Sequence, residues 1–486
     1  MGKNIRAMKV GTCVALSLAI GGCGAAVEGE DPVAEVSAAL ETSSTAYINN
    51  GLTGGAATVD VATALAGGPA VLEPVLNLAG IAATSHTSGV IDRTNPFFQS
   101  LGTNGRTCET CHDSRSAWTT SATLMSLLFE FTGGTHPLFV SLHDSGSRPD
   151  GLLTGTLAQK RNAFKATLQF GVHRFTRTNH VGNDYDVTAV DDPWGWSTPA
   201  SFADFRRAGT NLGFTNRIPS STTTGVPNPT VRTQLEGAMN GGTLFHAQGT
   251  VPLTPAQQSA GADFMLGLSF AQIYDFIAGR LDSGGARGGP ANLAQEPFPV
   301  AGAFDLYNAW ADACNDGPGV HAGCSLRNRK REQIARGQEL FNSKQFQVSG
   351  VAGLNDELGS PVVTLTCNGC HLAKNVGSST VVRFLDTGVA AEANRAAFLP
   401  LLTVKNRVTN EIRKTTDLGR ANSTRNWADI GKVRVLGLRG LASRAPYFHA
   451  GQAKTIGQVL DFYATRFNIN FTAANRADLE AFLLAL

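Results

Sequence analysis

Two short sequences constrain this chain more than anything else in it: CETCH at residues 108–112 and CNGCH at residues 367–371. Cys-X-X-Cys-His is the spacing at which two thiols form thioethers to a haem while the adjacent imidazole takes an axial position on its iron. A structural zinc site needs four ligands in paired spacings, and each sequence here supplies only three close residues. The pattern predicts two covalently bound haem c groups, attached through Cys108 and Cys111 and through Cys367 and Cys370, with His112 and His371 as proximal ligands. An electron-transfer cytochrome usually places Met or His on the opposite side of the iron. All five methionines precede Cys367, which leaves open what faces the second iron.

The chain has 486 residues, enough for two or three domains with substantial cores. A formal charge of +2 with 16% charged residues gives no basic field for nucleic acid. Lys3, Arg6 and Lys9 precede the apolar run VGTCVALSLAIGGC, the layout of a secretory signal and too short to span a bilayer. The end of that run, Ile20-Gly21-Gly22-Cys23, resembles a bacterial lipobox, which makes Cys23 a candidate lipidation site. Ordinary cleavage near Ala25-Ala26 is the alternative. Either route predicts a protein of the cell envelope, periplasmic or membrane-anchored, touching the membrane only through a lipid anchor. Residues 24–80 are rich in small and polar residues without a sustained period and read as a flexible tether.

Cys13 lies in the signal run, which leaves two of the eight cysteines over. Cys314 and Cys324 flank the Gly- and Pro-containing loop ACNDGPGVHAGC, and in an oxidising envelope a disulfide closing this loop is expected, free thiols being the alternative.

An internal repeat points to two cytochrome units. TPAQQSAGADFMLGL starts at Thr254 and TAANRADLEAFLLAL at Thr472, each opening with a Thr suited to N-capping. Phe264, Met265 and Leu268 sit at the same offsets as Phe482, Leu483 and Leu486, forming an apolar stripe on one helical face. IARGQELF, residues 334–341, resembles the helix before the haem in c-type cytochromes of the common helical class, which crosses the terminal helix at a small residue and an aromatic; the resemblance implies that Gly337 allows close approach and Phe341 faces Phe482. The Gly- and Pro-rich segment 282–299 reads as a linker. The organisation predicted is a signal over 1–23, a tether over 24–80, an N-terminal haem domain over 81–281, the linker, and a C-terminal haem domain over 300–486. The fold class predicted is mainly α. Residues 113–253 exceed what a simple cytochrome needs, and TLQFGVHRFTRT and DYDVTAV read as strands of a hairpin around HVGND.

The order of signal, CXXCH domain, linker, CXXCH domain and then GLRGLASRAPYFHAGQAKTIGQVLDFY resembles the bacterial di-haem cytochrome c peroxidases. Their relatives include the di-haem enzyme that matures a tryptophan-derived quinone cofactor and the rubber oxygenases. The match is best from Arg331 to Leu486, where APYFHAG is specific, and in the N-terminal half covers mainly NPFFQSLGTNGRTCETCH and the helix after Thr254. The resemblance implies that peroxide or oxygen reacts at the N-terminal haem while the C-terminal haem receives electrons from a small redox protein. It implies reduction of hydrogen peroxide, with two alternatives: peroxide- or oxygen-dependent oxidation of an organic or protein substrate, and electron transfer without catalysis.

The chain departs from the family pattern in places. The family's Trp-Asp-Gly-Arg segment is missing around PNPTVRTQLEGA. Gln234 aligns with a distal Gln of the family, while its distal Glu falls near Leu244, leaving His246 as the nearest proton-handling side chain. Gln234 and His246 are therefore the candidate catalytic residues, His246 having a partly buried structural histidine as its plainer reading. His173 and His180 are weaker candidates, expected at the surface. The family's calcium between the haems would call on Asn216, which is out of register by one. Asp184, Asp186, Asp191 and Asp192 read as a solvated loop.

The resemblance also addresses the second iron. The family's distal Met lies fourteen residues after the His of its PYFH sequence, and the same count from His449 reaches Tyr463. The quinone-maturing relative uses a tyrosine there, so the resemblance makes Tyr463 the expected axial ligand, with His449 as rival and water or no ligand as the remaining alternative. Ile456, Leu460, Tyr463 and Phe467 also recur at helical spacing, which leaves a core aromatic as the plainer reading of Tyr463.

Overall fold

The computed structural model describes residues 45–49, 56–140, 146–148, 155–208, 230–296, 300–314, 323–381 and 383–486. The export signal, Cys23, much of the tether and Asn216 lie outside the described residues.

The expectation of a mainly α fold is corrected: 35% of the structure is helical and 19% is in strands, and the strands form small antiparallel sheets. Helix signals are local in sequence, whereas these strands find partners far along the chain. Gly80–His86 pairs with Leu268–Asp275 at the centre of a four-stranded sheet whose edges are Leu72–Leu76 and Gly279–Arg280. The end of the segment read as a tether is thereby built into a sheet. Leu268 marks where the helical reading breaks down. The helix Pro255–Gly267 stops before it, and Leu268, with φ −75° and ψ 137°, opens a strand that is buried along almost its whole length.

The expected helices form around their caps. Thr254 and Gln257 make a reciprocal capping box at the start of Pro255–Gly267, and Thr472 and Asn475 make another at the start of Ala473–Leu484. The leading helix runs Leu326–Ser343 and crosses the terminal helix at Gly337, where an added Cβ would lie 1.9 Å from the carbonyl oxygen of Asp478. No side chain larger than hydrogen fits that crossing. Phe341 then meets Phe482 with ring centroids 5.6 Å apart.

The hairpin expected around HVGND is also corrected. TLQF belongs to the helix Lys165–Phe170, and the strands His173–Thr178 and Tyr185–Asp191 do not pair with each other. His173–Thr178 pairs with Ser201–Arg206, while Tyr185–Asp191 crosses to pair with Leu401–Asn406. The N-terminal insertion thereby contributes the edge strand of a sheet in the C-terminal half. The four aspartates expected to be solvated belong to this junction. Asp186 pairs with Arg407 at 2.7 Å, Asp191 pairs with Arg395 at 2.5 Å, and Asp184 accepts a hydrogen bond from the Trp427 amide. Asp192 closes a turn by accepting from the amides of Trp194, Trp196 and Ser197. Phe170 stacks on Phe398 close by.

The segment read as a linker holds a short helix, Pro290–Gln295, whose Leu293 is buried with Ala373 and Val376. Cys314 and Cys324 are joined in a disulfide with Cα atoms 5.2 Å apart. Among the described residues, no helix is long and apolar enough to cross a membrane.

Candidate functional site

Each CXXCH sequence folds into one tight turn that brings its histidine back over its first cysteine. The His112 amide donates to the Cys108 carbonyl at 2.9 Å, and the His371 amide donates to the Cys367 carbonyl at 3.1 Å. Six residues after each histidine a backbone carbonyl meets its ring: Nδ1 of His112 lies 3.0 Å from Trp118 O, and Nδ1 of His371 lies 2.5 Å from Gly377 O. A carbonyl can only accept, so Nδ1 carries the proton and Nε2 keeps a lone pair for a metal. Burial lowers the pKa of both rings. His112 falls to about 4, opposed by its carbonyl hydrogen bond and lowered further by nearby His246.

An aromatic brace repeats behind each ring. Phe97 lies 6.5 Å from His112 and 5.0 Å from Phe264, and Phe341 lies 6.0 Å from His371 and 5.6 Å from Phe482, all between ring centroids. The equivalence of Phe264 and Phe482, legible as an offset in sequence, is thus a shared contact in space.

Both histidines and all four motif cysteines line one continuous cavity of about 830 Å³. Burial pushes the thiols of Cys108 and Cys367 up to about 12, each reinforced by the neighbouring cysteine of its turn. Redox-active CXXC pairs need the opposite shift, because the thiolate is the reactive form. The raised values disfavour that form at Cys108 and Cys367.

Beside Cys108, whose sulfur lies 3.9 Å from that of Met239, the cavity is walled by the helix Val231–Gly241 and a following π-helical turn, Gly242–His246. Gln234 is buried and lines the cavity, as does His246, which is exposed at its edge. The ring of His246 makes an edge contact with Phe175 at 6.0 Å, and its carbonyl accepts from Asn104 and Arg106. Leu244 lies outside the lining. Gly237, Gly241 and Gly242 line the same wall, and a Cβ on any of them would meet no atom nearer than 3.9 Å. That face is open space held by backbone. His173, expected at the surface, is instead buried in the cavity wall, because its strand is covered rather than forming a free hairpin. His180 is exposed.

On the C-terminal side, Tyr463 lines the cavity among Phe448, Phe462 and Phe467. Its hydroxyl makes no hydrogen bond among the described residues, and burial, then the nearby Cys370 and Cys367, raise its pKa. His449 has both ring nitrogens buried without a hydrogen bond, with Nε2 3.6 Å from a carboxylate oxygen of Asp417. Burial lowers its pKa despite that carboxylate.

The charged part of this wall has no counterpart in the sequence reading. Arg206 bridges Asp417 at 2.6 Å and Asp204 at 3.1 Å, and Arg177 reaches Asp204 at 2.7 Å. Arg207 and Arg444 line the cavity as well. Lone arginines and aspartates carry no local signal of burial, so only the pairing of distant segments reveals them. Among the described residues, no three His, Cys, Asp or Glu side chains converge as a metal cluster. No family model matches the sequence, and no curated protein does.

Proposed function

We propose that this protein is a di-haem c-type oxidoreductase of the cell envelope, reducing hydrogen peroxide with electrons from a small redox protein. The observation that supports the reading most is the pair of CXXCH turns on one cavity, each with Nδ1 held by a carbonyl and Nε2 left for a metal. The remaining residues fit such a group. The cavity is largely apolar, the glycine-faced wall leaves open space in it, and Arg207 and Arg444 offer cations with no carboxylate partner among the described residues. Haem bound there would supply the electron transfer and the oxygen chemistry.

The chain's own groups divide the other roles. His112 and His371 hold fixed ring orientations through their carbonyl hydrogen bonds. Reducing peroxide to two waters consumes two electrons and two protons, so a proton carrier is needed over the N-terminal motif. His246 is an imidazole at the cavity edge, suited to hold a proton and pass it to a departing oxygen. Gln234 offers an amide that can orient peroxide by hydrogen bonding.

Tyr463 favours a second reading, oxidation of an organic or protein substrate by peroxide or oxygen. If a haem were held at Cys367 and Cys370, a tyrosine oxygen would be a harder ligand to its iron than a thioether and would favour the ferric state. Tyr463 lines the cavity with a hydroxyl that makes no hydrogen bond among the described residues, as such a ligand would.

Stopped-flow mixing of the half-reduced holoprotein with peroxide, in the presence of a reduced small cytochrome or cupredoxin, tests the proposal. Two donor molecules oxidised per peroxide is the expected result. Absence of both donor oxidation and haem spectral change would overturn it.

A further inference from the structure

Arg207 follows the strand Ser201–Arg206 of the insertion, and Arg444 belongs to the segment before APYFHAG. They meet in the cavity wall between the two halves. The backbone amide of Arg207 donates to the His449 carbonyl at 2.9 Å, and its guanidinium donates to the Thr120 carbonyl in the loop that follows His112. Arg444 is 5% exposed and donates to the carbonyl of Gly437, next to Leu438, whose amide donates to Val376 O at 2.7 Å beside the Gly377 carbonyl that holds His371. The pair thus stands between the two CXXCH turns.

Their charges are not neutralised within the described protein. The carboxylates of Asp204 and Asp417 are engaged by Arg177 and Arg206. No described acid pairs with Arg207 or Arg444, and Nε of Arg207 is buried with no hydrogen-bond partner. Burial and then the Arg444 charge lower Arg207 to about 9, and burial lowers Arg444 to about 10, with Tyr447 opposing in both cases. Both remain cations at neutral pH. Two guanidinium groups facing one apolar cavity are costly unless an anion lies between them. Planar guanidinium donors match a carboxylate in charge and geometry.

We propose that Arg207 and Arg444 form a seat for the carboxylate side chains of the haem attached at Cys367 and Cys370, an inference that rests on the di-haem reading. The insertion then carries one cation of the seat into the space between the two centres. These are positioning residues, setting the orientation and electrostatic environment of the group.

The test uses full-length holoprotein carrying R207Q, R444Q or R444K, with covalent haem counted first by mass spectrometry. Two haems per chain in each variant keeps the di-haem reading separate from the seat, and fewer than two in the unaltered protein would sink that reading instead. Removing a cation disfavours the more negative, reduced form. R444Q should therefore lower the equilibrium constant for one-electron reduction of the C-terminal haem about tenfold, about 59 mV. R207Q should act in the same direction, and R444K should restore most of the change. The carboxylate bending bands in resonance Raman spectra should move in the Gln variants and return in R444K. Unchanged potentials and bands in both Gln variants would overturn the proposal. So would saturable binding of formate or phosphate to the unaltered protein that the Gln variants lose, since the seat would then hold a free anion. Should R444Q fail to fold, R207Q and R444K carry the same comparisons.

Discussion

The carbonyl of Trp118 accepts the Nδ1 proton of His112 at 3.0 Å, and Trp118 adopts a left-handed backbone conformation, φ 57°, to present it. Gly377 does the same for His371 with φ 70°. A non-glycine residue at positive φ is uncommon and persists where its surroundings over-determine it. Trp118 has such surroundings, being buried against Phe97, Phe98 and Phe264. The two units thus hold their histidines by one backbone device, built on glycine in one and on a packed tryptophan in the other.

Gly377→Ala tests that device. The new Cβ would sit 2.9 Å from the Leu438 side chain at a positive φ. The left-handed conformation alone costs an L-residue about 1–2 kcal/mol. Denaturant titration should show at least that loss. The electron paramagnetic resonance signal of the C-terminal haem should broaden as His371 loses its fixed orientation, with the N-terminal signal unchanged.

Tyr463→Phe separates ligand from packing. The ring contacts with Phe448, Phe462 and Phe467 survive the substitution, so stability should change by less than about 1.5 kcal/mol. The ferric C-terminal haem should nonetheless change spin state or ligand set. An unchanged spectrum would mean that Tyr463 only packs.

His246→Gln addresses proton handling. Loss of a positioned acid–base group typically costs 10²–10⁴-fold in rate, so peroxide turnover should fall by roughly 10²-fold or more. Haem content and both reduction potentials should hold. Steady-state donor oxidation across pH, compared with the unaltered protein, reads the effect. Turnover within about twofold of the unaltered protein would remove His246 from the mechanism.

Asp417→Ala probes the buried charges that tie the insertion to the C-terminal half. It leaves Arg206, whose side chain is 12% exposed, with only Asp204. Breaking a buried pair on one side costs about 3–5 kcal/mol. Thermal and denaturant unfolding should show a loss of that order.

What the sequence makes legible is local. CXXCH, the capping Thr254 and Thr472, and Gly337 each state their role within a few neighbouring residues. Leu268 misleads because an apolar residue after a helix continues the stripe equally well in a strand. Tyr185–Asp191 reads as half of a hairpin because strand signals carry no partner, and its partner lies far along the chain at Leu401–Asn406. His173, Arg207 and Arg444 are hidden as cavity residues for the same reason: burial of a polar side chain follows from the distant segments that cover it.

The most direct measurement is the mass of the mature chain produced with a competent haem-attachment system, together with that of a variant in which Cys108 and Cys111 are both alanine. Two covalent haems are expected on the first and one on the second, with the remaining haem still reducible and peroxide turnover lost. A chain with one haem or none would contradict the di-haem reading at its foundation, and turnover surviving in the variant would reverse the roles given to the two halves.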